Sequence, residues 1–139
     1  MRSVLRGLRG RYDRVCFIGD SMGGSAALRY AQYADAVCAL APQVSDLAED
    51  PHVGREDLHA DALLQYVEGP LLRSVERALR RRIPISVHFC AGHARDAAHV
   101  AALPPGVCRV EEAGNEHDVA ALLKADGVLD DVVRDVLLS

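Results

Sequence analysis

Four short apolar runs, each followed by residues with helical spacing, constrain this chain more than any other feature of it. The runs cover residues 14–18 (RVCFI), 36–41 (AVCALA), 83–90 (IPISVHFC) and 107–111 (VCRVE). Several are almost unbroken Val, Ile, Cys and Phe, as strands buried on both faces are. Strands of that kind alternating with helices specify an α/β fold with about four parallel strands. Helices are expected over residues 22–34, 55–67, 71–82 and 96–103, and from residue 118 to the end. Pro42, Pro51, Pro70, Pro84, Pro104 and Pro105 fall at or near these boundaries, where a missing N–H is tolerated. A chain of 139 residues, half of them hydrophobic, can bury one core, so residues 1–139 are expected to form a single domain.

Composition removes several function classes. The net charge of −4 is spread along the chain and gives neither a nucleic-acid surface nor an acidic tail. Tyr12, Tyr30, Tyr33 and Tyr66, with two phenylalanines and no tryptophan, make no stacking platform for bases. The first residues, MRSVLRGLRGRYDR, carry positive charge without the apolar stretch of a signal peptide, and nothing approaches the ~20 apolar residues of a membrane span. A cytoplasmic protein with no membrane or nucleic-acid partner is expected. Cys16, Cys38, Cys90 and Cys108 each lie in an apolar run, as reduced core thiols do, and none sits at a strand-to-helix turn where a thiolate would be stabilised.

The chemistry gathers around GDSMG, residues 19–23. Gly19, Ser21 and Gly23 satisfy G-x-S-x-G between the strand RVCFI and the helical stretch MGGSAALRYAQYA, the setting in which that motif holds a nucleophile on a sharp turn. Glycines two positions either side let strand and helix approach. Ser21 would then stand at a helix N-terminus, whose free N–H groups favour developing negative charge, with the Met22 N–H as one oxyanion donor. The plainer reading makes Ser21 a helix N-cap.

A serine hydroxyl is a poor nucleophile at neutral pH, so it needs an imidazole to take its proton and a carboxylate to hold that imidazole. Both are present downstream in the order nucleophile, acid, histidine. Asp96 lies in AGHARD, just past the third apolar run, and His117 lies in AGNEH, just past the fourth. Asp46 in APQVSDL, past the second run, is the alternative acid; Asp96 is preferred because the loop after the penultimate strand is where the acid falls in folds with this motif. Asp96 and His117 also admit capping roles, for the helices that begin DAAHVAAL and HDVAALL.

Taken together, FIGDSMGGSAALRYA, AGHARD and GNEHDVAALLKADGVLDDVV resemble the α/β-hydrolase superfamily from its nucleophile strand onward, over nearly the whole chain. The resemblance implies Ser21 as nucleophile, Asp96 as acid and His117 as base, with acyl transfer to water through an acyl-enzyme and no cofactor. It also implies a departure. The nucleophile strand of that family is typically the fifth of eight, whereas only residues 1–13 precede it here. The early strands, and the loop that supplies a second oxyanion N–H, are therefore expected to be missing. One lost donor weakens transition-state stabilisation by about 2.7–4 kcal/mol. The first strand would become an edge that pairs with a second copy or with a missing N-terminal segment.

Other residues carry weaker signals. His88, Cys90, His93, His99 and Cys108 lack the tight paired spacings of a structural zinc site, and no metal is expected. Arginines in ERALRRR, ending at Arg82, suit a solvated helix C-terminus. Residues 42–82 exceed an ordinary crossover and form a possible cap-like helical excursion, in which Leu63, Leu64, Leu71 and Leu72 line a pocket or pack on the sheet. Three readings remain open: a serine hydrolase acting on a small acyl substrate such as an ester, an acyltransferase using the same triad, and a non-catalytic remnant or binding module.

Overall fold

A strand inside a parallel sheet bonds to neighbours on both edges and presents side chains to helices on both faces, so it has little room for polar residues. Two strands of this chain meet that condition. The computed structural model describes residues 2–44 and 70–139. In chain order these form α1 (Arg2–Arg9), β1 (Cys16–Asp20), α2 (Met22–Arg29), a 3₁₀ turn (Ala31–Tyr33), β2 (Ala36–Leu40), α3 (residues 70–80), β3 (Ile85–Cys90), α4 (Ala94–Ala101), β4 (Cys108–Glu112), α5 (Val119–Ala125) and α6 (Leu129–Leu138). The sheet has four strands in the order β1-β2-β3-β4, every neighbouring pair parallel. β2 and β3 are the interior pair and are almost wholly buried.

Consecutive strand order with crossovers of one hand sends every crossover helix to the same face. Accordingly α2, α3 and α4 share one core, where Ala27, Leu28, Leu71, Val75, Ala78 and Val100 meet Val37, Ala39, Ile85, Val87 and Phe89. Leu71 is fully buried there and Leu72 packs against the cluster, so both serve the sheet. The opposite face is covered by α5 and α6, through Val119, Leu123 and Val136 against Ala36, Cys38, Leu40 and Cys90. Arg14 ties the approach to β1 to the end of α6, donating to the Val136 carbonyl at 3.3 Å.

The outer strands differ from the inner ones. β4 carries Arg109, Glu111 and Glu112 and is largely exposed; Cys108 is exposed with it, so only Cys38 and Cys90 are fully buried thiols. Burial raises both of those above the usual thiol range, which keeps them protonated and unreactive. All four cysteines are free. The C-terminal helical stretch is two helices, with a turn at Gly127. Residues 45–69, which include Asp46, Pro51, Leu63, Leu64 and the expected helix over 55–67, lie outside the described residues. No helix among the described residues is long and apolar enough to cross a membrane.

β1 ends the sheet, bonded to β2 on one side. Ile18 is 40% exposed, and a groove of about 290 Å³ beside it is lined by Leu5, Phe17, Ala26 and Tyr30. Apolar edges of this kind invite pairing with another chain. Sedimentation at micromolar concentration is expected to show dimers or larger species, and Ile18→Lys should shift them toward monomer at little cost in melting temperature. A wild-type chain that sediments as a monomer removes the edge as an interface.

Candidate active site

The turn between β1 and α2 is built by close backbone approach. A Cβ on Gly19 would overlap the Gly23 carbonyl group and lie 2.8 Å from the Gly24 nitrogen, so no side chain fits at that position. A Cβ on Gly24 would meet the Gly19 and Leu40 carbonyl oxygens at 3.0 and 3.1 Å. Gly23, by contrast, has nothing within 4 Å of the place a Cβ would take. The steric demand expected of Gly19 and Gly23 thus falls on Gly19 and Gly24; at Gly23 it is the backbone that is crowded.

Ser21 occupies the apex with φ 49° and ψ −117°, a conformation that costs a non-glycine residue about 1–3 kcal/mol. Neighbouring bonds hold it there. The Ser21 N–H donates to the Leu40 carbonyl at 2.8 Å. Ser25, one turn into α2, donates to the Gln43 carbonyl at 2.8 Å and accepts from the Gln43 N–H at 2.9 Å, which joins the turn to the chain after β2. Although Ser21 stands at the N-cap of α2, its side chain makes no capping bond. Its Oγ is instead 2.9 Å from His117 Nε2.

The other two residues come from the loops after β3 and β4. These loops touch: a Cβ on Gly92 would lie 2.5 Å from the Gly114 carbonyl oxygen and 3.1 Å from Asn115 Cβ. Here the capping duties fall on neighbours. His93 caps α4, its Nδ1 accepting from the Asp96 N–H at 3.3 Å, and Asp118 caps α5 by accepting from the Ala121 N–H at 2.9 Å. Asp96 and His117 are left to face each other. His117 Nδ1 is 3.0 and 2.9 Å from the two Asp96 carboxylate oxygens, with Asp96 1% exposed and the His117 side chain 38% exposed. A carboxylate only accepts, so the ring proton sits on Nδ1, and Nε2 is left to accept from the Ser21 hydroxyl. The Met22 N–H, first in α2, has no intrahelical partner and is available to an anion.

Sequence reading therefore names the three residues that the fold brings together, while Asp46 lies outside the described residues. It misses Ser25 and the capping role of His93, a residue it weighs only as a metal ligand. A third such group is Asp20, whose Oδ1 is buried with no hydrogen-bond partner among the described residues. Burial, then repulsion from Asp118, raises its carboxyl above the ordinary 3.8. Comparison of the chain with protein-family models, with curated proteins and with solved structures finds no match.

Two stability measurements check this geometry. Gly19→Ala should destabilise the fold by about 1–3 kcal/mol or more through overlap with backbone, whereas Gly23→Ala, inside a helix with room for a methyl, should stabilise it by about 0.5–1 kcal/mol. Equal effects in denaturant titrations would overturn the description of the turn. For Asp20, the folded chain holds the proton more tightly than the unfolded chain does. The ionised group therefore opposes folding above its raised pKa, and this opposition is lifted as pH falls through that value toward 3.8. Asp20→Asn should raise the melting temperature at neutral pH, with the gain shrinking on acidification; a gain independent of pH would mean that ionisation is not its cause.

Proposed function

We propose that this protein is a serine hydrolase of the α/β-hydrolase type, cleaving ester-like acyl bonds through Ser21, His117 and Asp96. The observation that carries this reading is the continuous hydrogen-bonded line from the Ser21 hydroxyl through His117 to the buried Asp96 carboxylate, with Ser21 making no capping bond and Asp96 and His117 relieved of capping by His93 and Asp118. A serine held at positive φ at the head of a helix, making no capping bond, suits a hydroxyl aimed at another molecule.

In this mechanism His117 Nε2 takes the Ser21 proton as Oγ attacks the substrate's carbonyl carbon. The negative charge that develops on the carbonyl oxygen lies near the Met22 N–H and the N-terminus of α2. As the tetrahedral intermediate collapses, His117 returns the proton to the departing alcohol, and the acyl group remains on Oγ. Water then attacks the acyl-enzyme, giving a proton to Nε2, and collapse releases the carboxylic acid and restores the Ser21 hydroxyl. Asp96 stays ionised throughout and stabilises the imidazolium. No cofactor enters any step.

A fluorophosphonate probe tests the reading without knowledge of the natural substrate. Labelling at Ser21 is expected, with Ser21→Ala or His117→Ala abolishing it. Asp96→Asn should slow labelling by roughly 10⁴-fold, the loss that follows when such a histidine is held in the wrong tautomer, while Asp46→Asn should change it little. Labelling that survives Ser21→Ala would end the assignment, and a folded wild-type chain that the probe does not touch would point to a non-catalytic protein.

A further inference from the structure

His93 caps α4 with the same nitrogen that faces the Asp96 carboxylate. Its Nδ1 accepts from the Asp96 N–H at 3.3 Å, yet lies 3.0 Å from Asp96 Oδ2, which is itself 2.9 Å from His117 Nδ1. An unprotonated nitrogen at that distance from a carboxylate oxygen sets lone pair against lone pair. The contact becomes favourable when Nδ1 carries the ring hydrogen and donates to Oδ2, or when a metal ion lies between the two atoms.

The donor geometry suits a metal. Zinc binds nitrogen and oxygen ligands at about 2.0–2.2 Å, so two donors on one tetrahedral ion lie roughly 3.3–3.6 Å apart. His93 Nδ1 and His117 Nδ1 are 3.0 and 2.9 Å from Oδ2, so an ion between them would spread each pair slightly, and one ligand atom from each of the three residues lies within 4.8 Å of the others. The His93 ring centroid is 5.5 Å from that of His117, and its side chain is 31% exposed, so the third separation would close by a shift of this partly exposed ring. Asp96 supplies a buried anionic anchor, while the two partly exposed rings give an ion a path in and room for a bound water. Two histidines, one carboxylate and an open position make a common donor set for first-row divalent ions.

We propose that His93, Asp96 and His117 bind a zinc-type divalent ion, and that this ion switches off Ser21. Binding uses the Nδ1 lone pair of His117, so the ring proton moves from Nδ1 through solvent to Nε2. The imidazole stays neutral, and no proton is gained or lost. Nε2 then donates toward Ser21 instead of accepting, so no base remains to take the hydroxyl proton, and Asp96 is committed to the ion. The switching half of this proposal rests on the serine hydrolase reading; the binding half does not.

The test uses the full chain freed of metal by a chelator and Zn²⁺ alone as the probe. Calorimetry should show one ion bound per chain, retained in Ser21→Ala and in Cys108→Ser, whose exposed thiol is the competing ligand among the described cysteines. Losing a ligand should weaken binding by at least the roughly tenfold that outer-shell changes cost. His117→Ala should show this loss, as should His93→Asn, which keeps a capping acceptor for α4 and so separates ligation from folding. Saturating Zn²⁺ should slow fluorophosphonate labelling of Ser21 by roughly tenfold or more, chelation should restore it, and His93→Asn should be much less sensitive. Zinc that fails to bind, or binds equally well to His93→Asn, overturns the site. Zinc that binds but leaves labelling unchanged or faster overturns the switch. Absence of labelling in the metal-free chain counts against the hydrolase reading alone, because calorimetry still reports the site.

Discussion

Parallel pairing of the strands is the constraint on which the site depends. Asp20 is paired with Leu40, Leu40 with His88, and His88 with Val110. All strands therefore finish at one rim, and the residues that follow them, Ser21, Asp96 and His117, emerge within hydrogen-bonding reach. No residue in the loops need travel far. An antiparallel neighbour would have sent one of the three loops to the opposite end, and no choice of side chains would have recovered the line.

That constraint is legible in the sequence because it rests on burial. β2 and β3 read as apolar runs since both faces and both edges are covered, and their observed limits fall within two residues of those expected. β1 is less legible. Its apolar letters stop at Ile18, yet the strand runs on through Gly19 and Asp20 because their backbone pairs with Ala39 and Leu40. Pairing, unlike burial, leaves no mark on residue type. The helical stretch after it appears continuous to Ala34, but the α-helix ends at Arg29 and a 3₁₀ turn follows.

The site divides the same way. Ser21, Asp96 and His117 stand out because their residue types fit one reaction and their order fits one topology. Ser25, His93 and Asp20 do not. Ser25 acts through Gln43, eighteen positions away, and His93 takes over a cap that either it or Asp96 could make from sequence alone. The apolar neighbours of Cys108 suggest a buried thiol, but it is exposed on β4, an outer strand that also carries Arg109, Glu111 and Glu112.

The contact between Gly92 and Gly114 carries a consequence for how such a site can diversify. Asp96 and His117 are carried by loops whose backbones meet there, with Asn115 Cβ also close at hand, so a side chain at position 92 would push the two loops apart. Sequence drift cannot retune that half of the rim gradually; any added atom there breaks it. The serine half is different, since Met22, the residue after Ser21, is 76% exposed and presses on little. Substitutions are tolerated more readily there than at the glycine contact that holds the loops of Asp96 and His117 together.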